Sequence, residues 1–173
     1  EAERQTRQAI RRARRDNPDA RLIVTGCAAQ LNPGRYGDMP EVNKVLGNRE
    51  KLNLSAFLLD HEENPIVVSD VMVATETAAH LVHGFDDRSR AFVEIQQGCN
   101  HRCNFCIIPF ARGPCRSVDF ARIVDQVRLL TKRGFKEIVL TGVDICSYGT
   151  DFARRSSLGN LTRHLLAAVP DLP

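Results

Sequence analysis

Three cysteines lie close together in the middle of the chain, at Cys99, Cys103 and Cys106, in the spacing C-x3-C-x2-C. They directly follow residues 91–96 (AFVEIQ), an apolar run with partial alternation that predicts a β-strand. Three neighbouring thiolates can each bind one iron of a cubane iron–sulfur cluster. Such clusters normally have four cysteine ligands, so three leave one iron with an open coordination position. The spacing therefore predicts a 4Fe–4S cluster that can bind a further small molecule.

A zinc site is the alternative that the same residues allow, with Cys115 or His101 as the fourth ligand. Structural zinc sites are tetrahedral and closed, and they are usually built from paired C-x2–4-C arms. Here one compact triplet stands alone, and Cys115 lies nine residues after Cys106, beyond two prolines. The spacing favours iron–sulfur without excluding zinc, and a disulfide between these cysteines is the least favoured interpretation.

The composition is that of an ordinary globular protein, with 43% hydrophobic and 26% charged residues among 173. That length allows one sizeable domain or two small ones. No stretch approaches the roughly 20 apolar residues of a membrane span, and the basic first residues do not resemble a secretory signal. Clustered cysteines in such a chain point to a metal site in the reducing cytoplasm. The sequence starts without Met inside a helix-like pattern, so we expect a fragment.

The net charge of +3 gives only weak support for nucleic-acid binding. Positive charge is concentrated in the first predicted helix. A solvated helix face is the favoured interpretation of this segment, and contact with a polyanion is the alternative. Its arginines are Arg4, Arg7, Arg11, Arg12, Arg14 and Arg15.

The first part of the chain alternates short apolar runs with helix-forming segments, which predicts an α/β unit with a parallel sheet. A loop is expected at residues 32–37, because Asn32-Pro33-Gly34 and Gly37 are turn-forming residues. Helices are expected at residues 2–16 and 50–59, and strands at residues 21–25, 42–46 and 66–68.

The later part continues with helix, strand and helix after the strand at residues 91–96. Residues 119–133 carry apolar side chains at spacings of three and four, as on one face of an amphipathic helix, and Gly134 is suited to end that helix. This βαβα series fits the opening of a (β/α) barrel, whose ligand sites lie at the C-terminal ends of the strands. The predicted later elements are a strand at residues 137–140 and a helix at residues 158–169. The predicted domains are residues 1–70 and 91–173, with a linker at residues 71–90.

Two sequence motifs carry a family resemblance. Residues 92–113 (FVEIQQGCNHRCNFCIIPFARG) closely resemble the radical S-adenosylmethionine (radical-SAM) methylthiotransferases. Residues 25–30 (TGCAAQ) and 46–48 (LGN) resemble the end of the N-terminal domain of that family. The cysteine spacing alone identifies only the radical-SAM class, whereas its combination with TGCAAQ is specific for methylthiotransferases. The resemblance covers nearly the whole chain. It implies the later part of that N-terminal α/β domain followed by the first βαβα units of a radical-SAM partial barrel.

The resemblance implies two 4Fe–4S clusters in the full-length protein. Cys99, Cys103 and Cys106 match the ligands of the cluster that cleaves SAM. Cys27 matches the third cysteine of the second cluster, and the other two ligands are expected upstream of the printed sequence. Without the resemblance, Cys27 would be interpreted as a small buried hydrophobic residue. The remaining cysteines, Cys115 and Cys146, match no ligand of the family.

Three further residues match positions where the family contacts SAM. Phe105 corresponds to an aromatic residue near the SAM adenine, and packing beneath the loop is its alternative role. Gly142 and Asp144 follow the second strand of the predicted barrel. A tight turn with a capping aspartate is the alternative for that pair.

The motif variants resemble the branch that acts on N6-threonylcarbamoyladenosine at position 37, beside the tRNA anticodon. That resemblance implies replacement of the adenine C2–H by C2–SCH3. One SAM supplies the methyl group, and a second gives the 5′-deoxyadenosyl radical that removes the hydrogen. The implied partners are the tRNA anticodon loop, whose unpaired base can be splayed into a pocket, and an electron-donor protein.

Three alternatives to this assignment remain open. Isopentenyladenosine and a ribosomal protein are the substrates of the other branches of the family. A non-catalytic, zinc-bearing RNA-binding module is the alternative from a different functional class. The 173-residue chain is expected to be inactive alone, because an incomplete barrel leaves the edges of its sheet open.

Overall fold

The computed structural model of the protein describes residues 1–58, 65–74, 89–170 and 172. The chain forms two compact units. Unit 1 contains Glu1–Met72 with Phe110–Arg112, and unit 2 contains Val73–Pro109 with Gly113–Pro173. Most of the predicted linker lies outside the described residues, as do His61, His80 and His83. The domain boundaries given by the sequence therefore stay predictions. None of the described helices combines the length and the apolar character needed to cross a membrane.

Unit 1 contains a three-stranded parallel sheet in the order β1-β2-β3. Its buried centre consists of Val24, Ala29, Tyr36, Met39 and Val45, with Ile10 of the first helix packed against them. The elements, in chain order, are α1 (Ala2–Asp16), β1 (Ile23–Thr25), α2 (Cys27–Leu31), α3 (Pro33–Gly37), β2 (Lys44–Leu46), a 3-10 turn (Glu50–Leu52), α4 (Leu54–Leu58), β3 (Ile66–Val67) and a second 3-10 turn (Val71–Val73).

Two local predictions for unit 1 are wrong. Residues 32–37 were expected to form a loop, but Pro33 begins the short helix α3, because proline is tolerated in a first helical turn. The helix expected at residues 50–59 is instead divided at Asn53 into a 3-10 turn and α4. The Asn53 side chain accepts hydrogen bonds from the backbone and hydroxyl of Ser55, which restarts the helix after the break.

The basic helix α1 makes several contacts within unit 1. Arg14 donates to the carbonyl oxygens of Pro18, Ala20 and Glu41, at distances of 2.6 to 3.2 Å. Four other arginines of the helix lie within 4.0 Å of a carboxylate, and they are Arg4, Arg7, Arg11 and Arg15. Much of the positive charge of α1 is therefore paired inside this unit.

Unit 2 is a three-stranded mixed sheet in the order β5-β4-β6, covered on one face by helices. β4 and β6 are parallel, as predicted, whereas the short edge strand β5 is antiparallel to β4 and was not predicted. The elements of this later part of the chain are β4 (Arg90–Gln97), α5 (Ile108–Arg112), β5 (Arg116–Ser117), α6 (Phe120–Lys132), β6 (Glu137–Gly142), a 3-10 turn (Ile145–Ser147) and α7 (Leu158–Ala168). Residues Phe110–Arg112 of α5 belong to unit 1. The predicted α/β class is thus confirmed.

Helix α6 begins and ends with the signals present in the sequence. The Asp119 carboxylate accepts a hydrogen bond from Ala121 N at 2.9 Å, which caps the N-terminus. Gly134 follows the helix with φ of +90°, a left-handed conformation that favours glycine. The apolar stripe of α6 packs on the inward face of β4, at Ala91, Val93 and Ile95.

Candidate metal centre

The end of strand β4 is irregular at the point where the candidate site begins. Glu94 pairs with Thr141 and Gln96 pairs with Gly142, so Ile95 is an extra residue in β4 relative to β6. Both Ile95 and Gln96 are fully buried, whereas the earlier part of the strand alternates between buried and exposed residues. Such bulges bend a strand and re-aim its side chains. The bulge at Ile95 turns the Gln96 side chain into the protein interior. There it lies beneath the cysteine loop, a name we use for residues 98–106.

Gln96 connects the ends of the two parallel strands. Its amide nitrogen donates to Gly98 O at 2.7 Å and lies 3.2 Å from Cys115 Sγ. Its amide oxygen accepts from Asp144 N at 2.8 Å. One buried side chain therefore fixes both the start of the cysteine loop and the turn after β6.

Gly98 makes the tight turn that starts the cysteine loop. Its φ is +70°, and a Cβ at this position would overlap the carbonyl oxygen of Pro114. Cys99 N donates to Gly113 O at 3.1 Å, and Cys115 N donates to Asn100 Oδ1 at 3.0 Å. These two hydrogen bonds hold the loop against residues 113–115, at a close approach that only glycine permits at Gly98.

The three thiols of the loop differ in their environments. Cys99 is 9% exposed, Cys106 is partly buried and Cys103 is exposed. Cys106 N donates to Cys103 O at 3.0 Å, which closes a turn between these two cysteines. Burial raises the pKa of the Cys99 thiol above its ordinary value, and the nearby Asp144 carboxylate raises this pKa further. Cys99 therefore tends to keep its proton until a metal displaces it.

Cys99 lies beside two other ligand-type side chains. Its Sγ donates to Asp144 Oδ2 at 3.7 Å, and His101 Nε2 lies 3.2 Å from the same oxygen. Ser147 Oγ also donates to Asp144 Oδ2, at 2.7 Å. Asp144 is thus the centre of a polar group at the carboxyl ends of β4 and β6, where ligands bind in parallel α/β sheets.

No three thiols among the described residues lie close enough together to match a zinc ion bound by three cysteines. A zinc ion held by three cysteines brings their sulfurs to within about 4 Å of one another. Among the described residues, which include all six cysteines, Cys99, His101 and Asp144 are the one group of three ligand-type side chains whose atoms all lie within 4.8 Å. In a cubane each cysteine binds a different iron, so the sulfurs stand further apart. The loop therefore holds no ready-made zinc site of three thiols, and its three cysteines are the type of ligand that a cubane cluster uses.

The residues predicted to contact SAM lie at this same end of the sheet. Phe105 is 92% exposed on the cysteine loop, so the alternative of packing beneath the loop is wrong. Gly142 packs against Gln96, and a Cβ at Gly142 would lie 3.1 Å from Gln96 Oε1. Asp144 is brought next to Cys99, although 45 residues separate them in sequence.

Comparison with known proteins adds independent information. Residues 93–160 match the radical SAM superfamily. The chain is 49% identical over 99% of its length to the threonylcarbamoyladenosine tRNA methylthiotransferase MtaB of Rickettsia prowazekii, of which it covers 40%. Residues 93–160 belong to the radical SAM superfamily, and the chain is similar over nearly its whole length to a methylthiotransferase. The radical SAM superfamily implies SAM and a 4Fe–4S cluster as cofactors.

Two further relatives show the breadth of this family. The MtaB protein of Aquifex aeolicus is 43% identical over 86% of this chain, which covers 37% of that relative. The ribosomal protein uS12 methylthiotransferase RimO of Caldicellulosiruptor saccharolyticus is 36% identical over 83% of this chain, which covers 34% of that relative. The chain thus spans less than half the length of these methylthiotransferases.

The methylthiotransferase motif TGCAAQ occupies the end of β1 and the start of α2. Cys27 is the first residue of α2, directly after β1, and its side chain is partly buried. Gln30 of the motif accepts from Asn48 N at 2.8 Å and donates to Ser69 O at 2.9 Å. Gln30 therefore joins the segments that follow β1, β2 and β3, which places Cys27 at the carboxyl edge of the first sheet.

The cysteines that match no family ligand have different surroundings. Cys115 is 5% exposed, lies against Gln96 and has its Sγ 3.8 Å from Ser147 O. Cys146 is exposed on the 3-10 turn after β6. Neither belongs to the group of ligand atoms around Asp144.

Sequence reasoning missed the roles of Gln96, His101 and Ser147. The available signal for Gln96 was an amide in an otherwise apolar strand, directly before a glycine. His101 was considered as the fourth ligand of a zinc site; its side chain is 69% exposed, and its ring nitrogen contacts Asp144. No local pattern indicates that contact, because it depends on the pairing of β4 with β6.

Proposed function

We propose that this chain is part of a tRNA methylthiotransferase that converts the C2–H of N6-threonylcarbamoyladenosine 37 to C2–SCH3. The observation that carries the proposal is the placement of Cys99, Cys103 and Cys106 on one loop at the carboxyl end of β4. The names of the relatives at 49% and 43% identity support this substrate. The relative that acts on a ribosomal protein is less similar, at 36% identity.

In this proposal, the three cysteines of the loop hold the 4Fe–4S cluster. Cys103 and Cys106 are accessible to iron, and Cys99 loses its proton as it binds. When bound, the cluster and SAM would supply the carbon radical needed to remove a hydrogen that is too weakly acidic for a general base. The protein holds the loop rigid through Gly98 and Gln96 and keeps the reacting groups at the end of the sheet.

Asp144, Gly142 and Phe105 are proposed to bind SAM. The Asp144 carboxylate can accept hydrogen bonds from the ammonium group of SAM. Gly142 packs closely against Gln96 at the end of β6, where a Cβ would lie 3.1 Å from Gln96 Oε1, so its proposed contact with SAM is through its backbone. The exposed Phe105 ring offers an apolar surface on which an adenine can stack.

The remaining parts of the proposal concern the full-length protein. Cys27 is proposed as one ligand of a second 4Fe–4S cluster that carries or supplies sulfur, so the complete protein would hold two clusters. Its position at the carboxyl edge of the first sheet suits a ligand site. The tRNA anticodon loop and an electron-donor protein are the proposed partners, and both imply a cytoplasmic location.

Mass spectrometry of tRNA nucleosides tests this function. Cells that lack the intact gene are expected to lose the methylthio form of threonylcarbamoyladenosine and to keep its unmodified precursor. The intact gene should restore the modification, and Cys103→Ser should not. Cys146→Ser is the matched control, because it changes an exposed cysteine outside the cysteine loop and should restore normal modification. Persistence of the modification in the deleted strain, or loss of a methylthio group from isopentenyladenosine instead, contradicts the proposal.

A further inference from the structure

Cys99, His101 and Asp144 form a compact set of three different metal-ligand types. Asp144 Oδ2 lies 3.7 Å from Cys99 Sγ and 3.2 Å from His101 Nε2. The remaining pair, Cys99 Sγ and a ring nitrogen of His101, lies within 4.8 Å. All three residues belong to unit 2. The proposed cluster uses only Cys99 from this set.

These distances match the edges of a tetrahedral zinc site. Zinc bonds of about 2.3 Å to sulfur and about 2.0 Å to nitrogen or oxygen place sulfur and oxygen about 3.5 Å apart, and nitrogen and oxygen about 3.3 Å apart. The two observed distances to Asp144 Oδ2, 3.7 Å and 3.2 Å, each lie close to these values. A single ion can therefore bind all three ligand atoms with small movements of the side chains.

We propose that Cys99, His101 and Asp144 bind one Zn²⁺ ion when the loop holds no iron–sulfur cluster. Thiolate, imidazole and carboxylate are all established zinc ligands, and three protein ligands leave a fourth position for water. His101 is 69% exposed, which lets solvent reach that position. On binding, the Cys99 thiol releases its proton to solvent, and the thiolate, neutral imidazole and carboxylate together bring two negative charges to the ion.

The residues around the site hold Asp144 in place for this role. Ser147 Oγ donates to Asp144 Oδ2 at 2.7 Å, and Gln96 accepts from Asp144 N at 2.8 Å. The Asp144 side chain is only 17% exposed, so its movement is restricted. Outer contacts of this kind orient metal ligands and raise metal affinity.

Sharing of Cys99 makes the two metal states mutually exclusive. A Cys99 thiolate bound to zinc is not available to an iron of the cluster. Zinc is therefore expected to block cluster assembly on this loop, and a chelator should restore assembly. This competition rests on the proposed cluster, whereas the zinc site itself does not.

Metal titration of the apoprotein tests the site directly. The protein, prepared without iron and under anaerobic conditions, is titrated with Zn²⁺ and separately with Co²⁺ as a coloured substitute. One ion per chain is expected at this site, with the intense thiolate-to-metal absorption of tetrahedral Co²⁺. His101→Ala should weaken zinc binding by more than about 100-fold. A loss of that size exceeds the roughly 10- to 100-fold effect of removing a residue that only contacts a metal ligand. His164→Ala is the matched control at another exposed histidine of unit 2, and it should leave the affinity unchanged.

A second pair of variants separates the zinc site from the cluster. Cys103→Ser should keep the zinc site and lose the cluster, whereas His101→Ala should lose the zinc site and still accept the cluster. Circular dichroism of both variants checks that they are folded, which is expected because both side chains are exposed. Loss of zinc binding in Cys103→Ser, or unchanged binding in His101→Ala, overturns the inference. Failure of the wild-type protein to take up a cluster counts against the proposed function alone.

Discussion

Gln96 shows how much of the site depends on a single buried amide. The side chain is fully buried, and it bonds to Gly98 O, to Asp144 N and to the sulfur of Cys115. Buried polar groups of the backbone are costly when they lack a partner. Gln96 satisfies two of them at once and, by doing so, sets the distance between the cysteine loop and the turn after β6.

Replacement of Gln96 is expected to weaken both the fold and the site. Gln96→Ala leaves Gly98 O and Asp144 N without this partner, and it should lower the free energy of unfolding by about 2–3 kcal/mol. Urea denaturation measures the change, and anaerobic reconstitution should show reduced cluster content. Gln97→Ala is the control, because Gln97 is only partly buried and contacts the side chains of Glu94 and Arg116. An equal effect of both variants would contradict this role for Gln96.

The raised pKa of the buried Tyr148 hydroxyl predicts that the free energy of unfolding depends on pH. The side chain is 2% exposed, its hydroxyl donates to Val118 O at 3.0 Å, and burial raises its pKa to about 12. In the unfolded chain a tyrosine has a pKa of about 10. Between these two values the unfolded state loses its proton first, so the free energy of unfolding should fall as pH rises through this window.

The variant Tyr148→Phe isolates this effect. It should unfold more easily at neutral pH, by about 1 kcal/mol, because the carbonyl of Val118 loses its hydrogen-bond donor. Above pH 10 it should lose less stability than the wild type, as measured by urea denaturation at a series of pH values. Parallel alkaline curves for the two proteins would show that Tyr148 does not control this transition.

At the scale of elements, the cysteine loop depends on the turn that joins it to β4. Gly98 combines a left-handed backbone with a close approach to Pro114 O, so the loop and residues 113–115 form one structural piece. The bulge in β4 comes first along the chain and buries the Gln96 side chain. The turn at Gly98 follows and directs Cys99 back toward the end of β6.

Two glycines that both have a positive φ, Gly98 and Gly134, make a matched test of this turn. Gly98→Ala adds a methyl group that overlaps Pro114 O, whereas Gly134→Ala, at φ of +90°, meets nothing within 4 Å. Both variants experience the strain of a positive φ, of about 1 kcal/mol. Only Gly98→Ala should lose considerably more stability in urea denaturation and fail to assemble the cluster. Similar losses in the two variants would mean that backbone strain alone explains the need for glycine at Gly98.

At the scale of the whole molecule, each unit is a small sheet with its own buried core. In unit 2 the helices cover the face of β4 that carries Ala91, Val93 and Ile95. The opposite face is more open, and Phe92 on that face is 43% exposed. In a (β/α) barrel this second face lines the interior, so its exposure here agrees with the expected partial barrel.

The contrast between the two faces predicts opposite effects of neighbouring substitutions. Phe92→Thr should change the free energy of unfolding by less than about 0.5 kcal/mol, because surface changes cost little, and it should reduce binding of a hydrophobic dye. Val93→Thr places a hydroxyl in the helix-covered core, where the side chain is 4% exposed, and should cost about 1–3 kcal/mol. A large destabilisation by Phe92→Thr would show that the open face is covered in solution.

The elements predicted correctly from the sequence are those with strong local signals. α1, α6 and α7 follow clear patterns of helix-forming or amphipathic residues, and α6 also has its capping residues Asp119 and Gly134. β5 was missed because two residues carry no periodicity, and the break at Asn53 was missed because the surrounding residues favour helix. Local propensity is therefore informative over many residues and weak over a few.

The sequence by itself determined the radical-SAM class and the positions of the candidate cluster ligands, because the spacing of Cys99, Cys103 and Cys106 is a local property of one loop. Only the tertiary structure placed His101 and Asp144 beside Cys99 and buried Gln96 beneath them. Asp144 is 45 residues from Cys99, and their approach is set by the register of β4 on β6 and by the bulge at Ile95. Strand register and bulges are fixed by packing across the whole sheet, so no short stretch of sequence encodes them.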